Sequence, residues 1–219
     1  TNYGAVNKTT TVTVGKANDT VSLTEKSSAY TGSAIAANTA TSTSGSTITY
    51  TYYGSTNCSG TALSGAPVNV GNYSVKAVSA GNGNYSSGSK CVTHTITKSN
   101  TTTTLGAQTK TYTGSAQAAS GATSKLSSNN TNISGGTYTY TYYSGTGCSS
   151  SNKLTSAPKD AGTYSVTATL TGTDNYNSST SSCATYTMNK KADTVSITAK
   201  SAAYTGSAIS ANTATAESD

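Results

Sequence analysis

Polar and apolar positions alternate along most of this chain. In "TITYTYY" (47–53), Ile48, Tyr50 and Tyr52 fall on one face and Thr47, Thr49 and Thr51 on the other. A period of two marks a strand with one packed and one wetted face. A second copy places Tyr138, Tyr140 and Tyr142 in the same way. "NYSVKAV" (72–78) aligns Tyr73, Val75 and Ala77, and its counterpart aligns Tyr164, Val166, Ala168 and Leu170. "TVSLT" (20–24) turns Val21 and Leu23 to one side, and "CVTHTIT" (91–97) does so with Val92, His94 and Ile96. Gly, Asn and Ser lie between these runs and supply turns. No stretch keeps an apolar stripe at a 3.6-residue period, so the pattern predicts an all-β protein.

The alternation also recurs at long range. "AYTGSAI" occupies 29–35 and returns at 203–209, with "TYTGSAQ" at 111–117. Tyr30, Tyr112 and Tyr204 are 82 and then 92 residues apart, and Lys16, Lys98 and Lys190 keep the same two spacings. Asn-Tyr occurs at 2–3, 84–85 and 175–176, and Ala-Pro at 66–67 and 157–158, the only prolines. Agreement among separate landmarks predicts a tandem array. Residues 1–16 read as the last strand of a preceding repeat. Residues 17–98 and 99–190 read as complete repeats, and 191–219 as the opening strands of a further one. The junctions "KANDT", "KSNTT" and "NKKADT" are short and polar, which predicts an elongated, semi-rigid rod. The unfinished last repeat is expected to belong to a longer array. Strand donation between the ends of adjacent chains is a weaker expectation, because the end pieces lack the Tyr-rich strand.

Composition narrows the function. Only 9% of residues are charged, there is no Phe or Trp, and the 16 Tyr are the only aromatics. Thr, Val and Tyr favour strands, which argues against disorder despite the low hydrophobicity. The net charge of +6 comes from scattered lysines, without the clustered basic face that nucleic acids require. No apolar run is long enough to span a bilayer. The opening residues do not read as a signal peptide, so targeting information is expected elsewhere in the parent protein.

Several short strands per repeat imply a β-sandwich whose thin core is filled by Tyr rings, with hydroxyls reaching the rim or the backbone. "DAGTYSVTA" (160–168) has the D-x-G-x-Y spacing of the immunoglobulin tyrosine corner, with Val166 where a core Cys would stand. "NVGNYSVKA" (69–77) repeats it with Asn69 in place of the acid. Tyr73 and Tyr164 are the predicted corner tyrosines.

"APKDAGTYSVTA" followed by Asn-Tyr, and preceded by Y-T-G-S-A and a Tyr-rich strand, resembles the tandem MBG-type and other bacterial immunoglobulin-like repeats of large surface proteins. The resemblance covers essentially the whole chain. It implies immunoglobulin-like sandwich modules serving as stalks, often of adhesins, at the cell surface.

Cys58 and Cys91, and then Cys148 and Cys183, occupy equivalent places in the two repeats. Repeat symmetry favours the pairings 58–91 and 148–183 among three possible connectivities. Immunoglobulin topology leaves an alternative open, Cys58 meeting Cys183 across the junction. Either arrangement implies an oxidising, extracellular setting.

Catalytic chemistry is not expected. His94 is the only histidine and stands mid-strand, where the next repeat has Tyr186. The seven acids do not cluster as a paired-carboxylate or calcium site requires. No C-x-x-C pair, phosphate-cradling glycine motif or recurrent Lys–Asn–acid crosslink set is present, and no cofactor is expected. Sequons such as those at Asn72 and Asn84 admit glycosylation, as do the many Ser and Thr residues. The leading expectation is a structural stalk or filament segment giving reach and stiffness. Its partners would be neighbouring repeats and other copies in a filament. The alternative is an adhesive module whose Tyr rows bind surface glycans.

Overall fold

The computed structural model describes residues 2–217; Thr1, Ser218 and Asp219, which fall in the two predicted end pieces, lie outside the described residues. The protein is all-β. Helix among the described residues is limited to a 3₁₀ turn at Ser150–Asn152.

The first repeat contains β1 (Val21–Ser22), β2 (Lys26–Ala29), β3 (Thr41–Ser42), β4 (Ile48–Tyr53), β5 (Gly71–Ser79) and β6 (Gly88–Thr97). One sheet is β1–β3 and the other has the order β2–β6–β5–β4. The opening strand expected at 20–24 is shortened to β1, and a second strand, β2, follows outside it. β1 pairs with β3, and the chain then crosses so that β2 lies parallel to β6, with Ser27 opposite Thr95. The crossing places Val21 and Leu23 against Ala40, Tyr52, Val75, Ala77 and Val92 in one apolar cluster. Val75 and Ala77 are almost fully buried, and fully burying a side chain the size of Val or Leu contributes roughly 1.5–3 kcal/mol.

The second repeat contains β7 (Thr101–Thr104), β8 (Gln108–Thr111), β9 (Thr123–Leu126), β10 (Tyr138–Ser144), β11 (Gly162–Leu170), β12 (Ser179–Thr180) and β13 (Ala184–Asn189). Its plan is the same: β7 pairs with β9, and β8 runs parallel to β13 in the sheet β10–β11–β13–β8. The core gathers Ala119, Tyr142, Val166, Ala184, Tyr186 and Met188.

Beyond it, β14 (Val195–Ser196) and β15 (Thr215–Ala216) pair with the spacing seen between β1 and β3. Residues 2–16 form no strand among the described residues, and Val6, Val12 and Val14 face water. A strand needs a partner ladder for its amides and carbonyls, and none lies beside this stretch.

The chain divides into two compact units that do not follow the repeat boundary. The first holds the described residues up to Thr102 with Ser124–Gly135 and Thr171–Ser179. The second holds Thr103–Thr123, Gly136–Leu170 and the described residues from Thr180 onward.

Y-T-G-S-A is the turn that ends β2 and β8. Gly32 and Gly114 have φ of +80° and +82°, a left-handed conformation that glycine adopts without a Cβ penalty. Gly88 has a different role. A Cβ there would sit 2.2 Å from the Asp19 carbonyl oxygen, so only glycine admits the entering chain at the head of β6.

Candidate functional site

Among the described residues, no group of three His, Cys, Asp or Glu could hold a metal ion. The chemistry of the chain lies in how each repeat is fastened.

The first fastening is covalent. Cys58 is bonded to Cys91, with Cα atoms 6.1 Å apart, and Cys148 to Cys183, at 5.7 Å. The loop after β4 folds back over the outer face of the sheet. There the Cys58 amide donates to the Ser74 hydroxyl on β5 at 2.8 Å, which carries the loop across β5 toward Cys91 on β6. That return brings together two positions which a simple strand mapping puts at opposite poles.

The second fastening uses tyrosine hydroxyls. The segment after the Y-T-G turn is irregular, so its amides lack ladder partners. The Ala37 amide donates to the Tyr52 hydroxyl at 2.9 Å, and the Ala40 amide to the Tyr50 hydroxyl at 2.7 Å. In the second repeat, Ala119 and Ala122 donate likewise to Tyr142 and Tyr140. The two prolines complete the clasp: Ile35 donates to the Pro67 carbonyl at 2.9 Å and Gln117 to the Pro158 carbonyl at 3.0 Å. Here phenylalanine would fill the core but leave buried amides unpaired.

The third fastening is the tyrosine corner. The Tyr73 hydroxyl donates to the Asn69 carbonyl at 2.9 Å, and Tyr164 to the Asp160 carbonyl at 3.1 Å. Because the acceptor is a backbone oxygen, Asn and Asp serve equally at the first position.

Two interior sites differ between repeats. Asp19 is buried and receives the Ser44 amide at 2.9 Å, with further bonds from the Ser44 and Ser79 hydroxyls. Burial pushes its carboxyl up, but those donors outweigh burial and hold it below the ordinary carboxylate value. Thr101 and Leu170 stand at the equivalent places. His94 is fully buried, edge-on to Tyr52 at 5.8 Å, and neither ring nitrogen has a hydrogen-bond partner. Burial pushes its pKa down, against a smaller upward pull from the Ile35 backbone. Tyr186, its counterpart, packs on Tyr142 at 5.7 Å and donates to the Gln117 carbonyl at 2.7 Å. Burial raises the Tyr186 pKa to about 12.

Sequence reasoning singled out the four cysteines, Tyr73 and Tyr164. It missed Tyr50, Tyr52, Tyr140 and Tyr142 as amide acceptors and Asp19 as a buried anchor. The legible signal was the complete absence of Phe beside two recurring Tyr-rich strands.

Two features occur twice along the chain: an early strand lying parallel to a late one, β2 to β6 and β8 to β13, and a tyrosine corner of the kind found in immunoglobulin-like sandwiches. The match to known families is narrower: residues 19–100 match the family model described as the MBG domain. No curated protein matches the chain. Among solved structures, it is similar to the Drosophila N-cadherin EC1-4 crystal structure at 16% identity and a TM-score of 0.34. That match covers 81% of this chain and 50% of the cadherin chain, so the chain spans about half the length of that structure.

Proposed function

We propose that the chain is a load-bearing stalk segment of an extracellular bacterial surface protein, giving reach and stiffness, without enzymatic activity. The observation that carries this is the parallel pairing, in each repeat, of the second strand with the last, β2 with β6 and β8 with β13. Ala17 bonds beside Tyr85, ahead of β6, while Lys98 follows β6. The chain therefore enters and leaves a repeat at opposite ends of a ten-residue strand. Tension between those ends pulls β2 and β6 in opposite directions along their length. The rungs from Lys26–His94 to Ala29–Thr97, with the Tyr30-to-Thr97 hydrogen bond, are then loaded together in shear. The second repeat has the same geometry through β8 and β13.

Two disulfides support an oxidising compartment. No helix of the described residues is long and apolar enough to cross a membrane. The rod arrangement of the repeats, with neighbouring repeats as partners, belongs to this proposal.

Single-molecule pulling tests it. Force applied between the chain ends is expected to meet much higher resistance than force applied at Gly71 and Thr97, which unzips β5 from β6 one rung at a time. Equal and low resistance in both directions would exclude a load-bearing role.

A further inference from the structure

The first compact unit contains a template for how one repeat seats the next. Two stretches of the second repeat are hydrogen-bonded to the far end of the first. The Val70 amide donates to the Asn175 side-chain oxygen at 2.9 Å, and the Asn175 amide nitrogen donates to the Asn69 side-chain oxygen at 3.1 Å. Lys98 donates to the Thr173 carbonyl at 2.8 Å. Ser128 and Asn129 donate to the carbonyls of Tyr30 and Thr31 at 2.7 and 2.9 Å. Asn175 belongs to the Asn-Tyr loop, one of the recurring landmarks of the sequence.

Within the second unit, the repeat-equivalent residues line a cleft of about 800 Å³. Tyr112 and Thr113 stand for Tyr30 and Thr31, Asp160 and Ala161 for Asn69 and Val70, and Lys190 for Lys98. We propose that this cleft is the seat for the Asn-Tyr loop of a following MBG-type repeat, one that continues from the opening strands β14 and β15.

The chemistry of the cleft fits that occupant. The Ala161 amide replaces the Val70 amide as donor to the Asn side-chain oxygen, and Lys190 replaces Lys98 as donor to a loop carbonyl. Asp160 replaces the Asn69 amide oxygen with a carboxylate, a stronger acceptor for the Asn side-chain N–H. The loop also has a fixed shape. Asn82 donates to the Tyr85 carbonyl at 3.0 Å in the first repeat, and Thr173 to the Tyr176 carbonyl at 2.9 Å in the second. The loop's own repeat anchors it: Ala17 donates to the Asn84 carbonyl and Ser99 to the Asn175 carbonyl. A loop held this way presents its Asn side chain with little ordering cost. The proposal deepens the stalk reading and rests on it, because a seated loop turns each junction from a tether into a fixed joint.

Amide hydrogen exchange tests it, using the full chain and the same chain extended past residue 219 by a copy of its residues 46–98, which completes the third repeat. In the unextended chain, the Val70 amide is expected to exchange slowly and Ala161 fast. The Asn175→Ala variant is expected to speed Val70 exchange at least tenfold, and no change there would remove the template and the proposal with it. In the extended chain, Ala161 is expected to slow at least tenfold, and Asn84→Ala in the appended copy to restore fast exchange. Fast exchange at Ala161 while the β5–β6 amides of the appended copy are protected would overturn the proposal. Force resistance of individual repeats is unaffected by either result, so failure of the seat and failure of the stalk reading are separable.

Discussion

The two complete repeats share one plan but differ in what they bury. The first keeps ionisable groups inside: Asp19 tied by Ser44 and Ser79, and His94 with no partner for its ring nitrogens. The second has Thr101 at the Asp19 position, Leu170 at the Ser79 position and Tyr186 at the His94 position; Leu170 and Tyr186 are fully buried, and the Tyr186 hydroxyl is satisfied. Its own orphan is the Ser165 hydroxyl, at the position where Ser74 receives Cys58 in the first repeat. The shared elements are the disulfide, the tyrosine acceptors and the parallel strands. The fold therefore tolerates exchange of interior polarity as long as these fastenings remain.

The largest expected effect tests the similarity. Replacing Cys58 and Cys91 together by Ala is expected to cost the first repeat about 3–4 kcal/mol in the chain-entropy account. The bridged separations are 33 and 35 residues, so the same change at Cys148 and Cys183 should cost the second repeat nearly the same. Urea unfolding of the two variants makes the comparison, and a marked inequality would show that the bridges are not equivalent.

Next comes the difference. His94→Tyr is expected to stabilise the first repeat by about 1–3 kcal/mol, since the new hydroxyl can reach the Ile35 carbonyl as Tyr186 reaches Gln117. Tyr186→His should destabilise the second repeat by a similar amount. Thermal unfolding of both exchanges measures this. Two neutral results would mean that hydrogen bonding at this position does not separate the repeats.

Tyr52→Phe and Tyr142→Phe return to what is shared. Each leaves one alanine amide without its acceptor, at an expected cost of about 1–2 kcal/mol. Equal losses in equilibrium unfolding would support a common clasp, and a loss in one repeat alone would break it.

The smallest effect near neutrality is that of pH. The native pKa of His94 is lowered, so below its ordinary value of about 6.5 the unfolded chain binds a proton that the native repeat does not. Stability of the first repeat should therefore fall as pH drops through that value. Asp19 acts at lower pH. Its native pKa is also lowered, so its contribution is present above the ordinary carboxylate value and lost as pH falls through the native one. The second repeat lacks both groups at these positions and should hold. Acid titration followed by resolved amide signals checks this, and simultaneous loss of both repeats would contradict it.

β4 to β6, with β10 and β11, were legible because their alternation is long. The opening strand was read as one piece, since "TVSLT" alternates cleanly. Its shortening to β1 and the separate strand β2 depend on a crossing between sheets, which no local pattern records. The tyrosine corners were visible as a spacing. The acceptor role of Tyr52 and Tyr142 was not, because their donors lie 15 and 23 residues earlier in a segment without periodicity. The partnerless nitrogens of His94 reflect burial by distant strands, and a lone mid-strand His gives no sign of it.

The central claim is that the parallel strands carry load while the disulfide limits extension. Pulling the intact chain from its ends, before and after reduction, tests it directly. The β2–β6 and β8–β13 rungs lie outside the disulfide-closed loops, so the peak force of each repeat should be the same in both states. Only the length released should grow, by roughly 110–125 Å per repeat for 33 and 35 freed residues. A peak force that collapses on reduction, with no added length, would contradict the account.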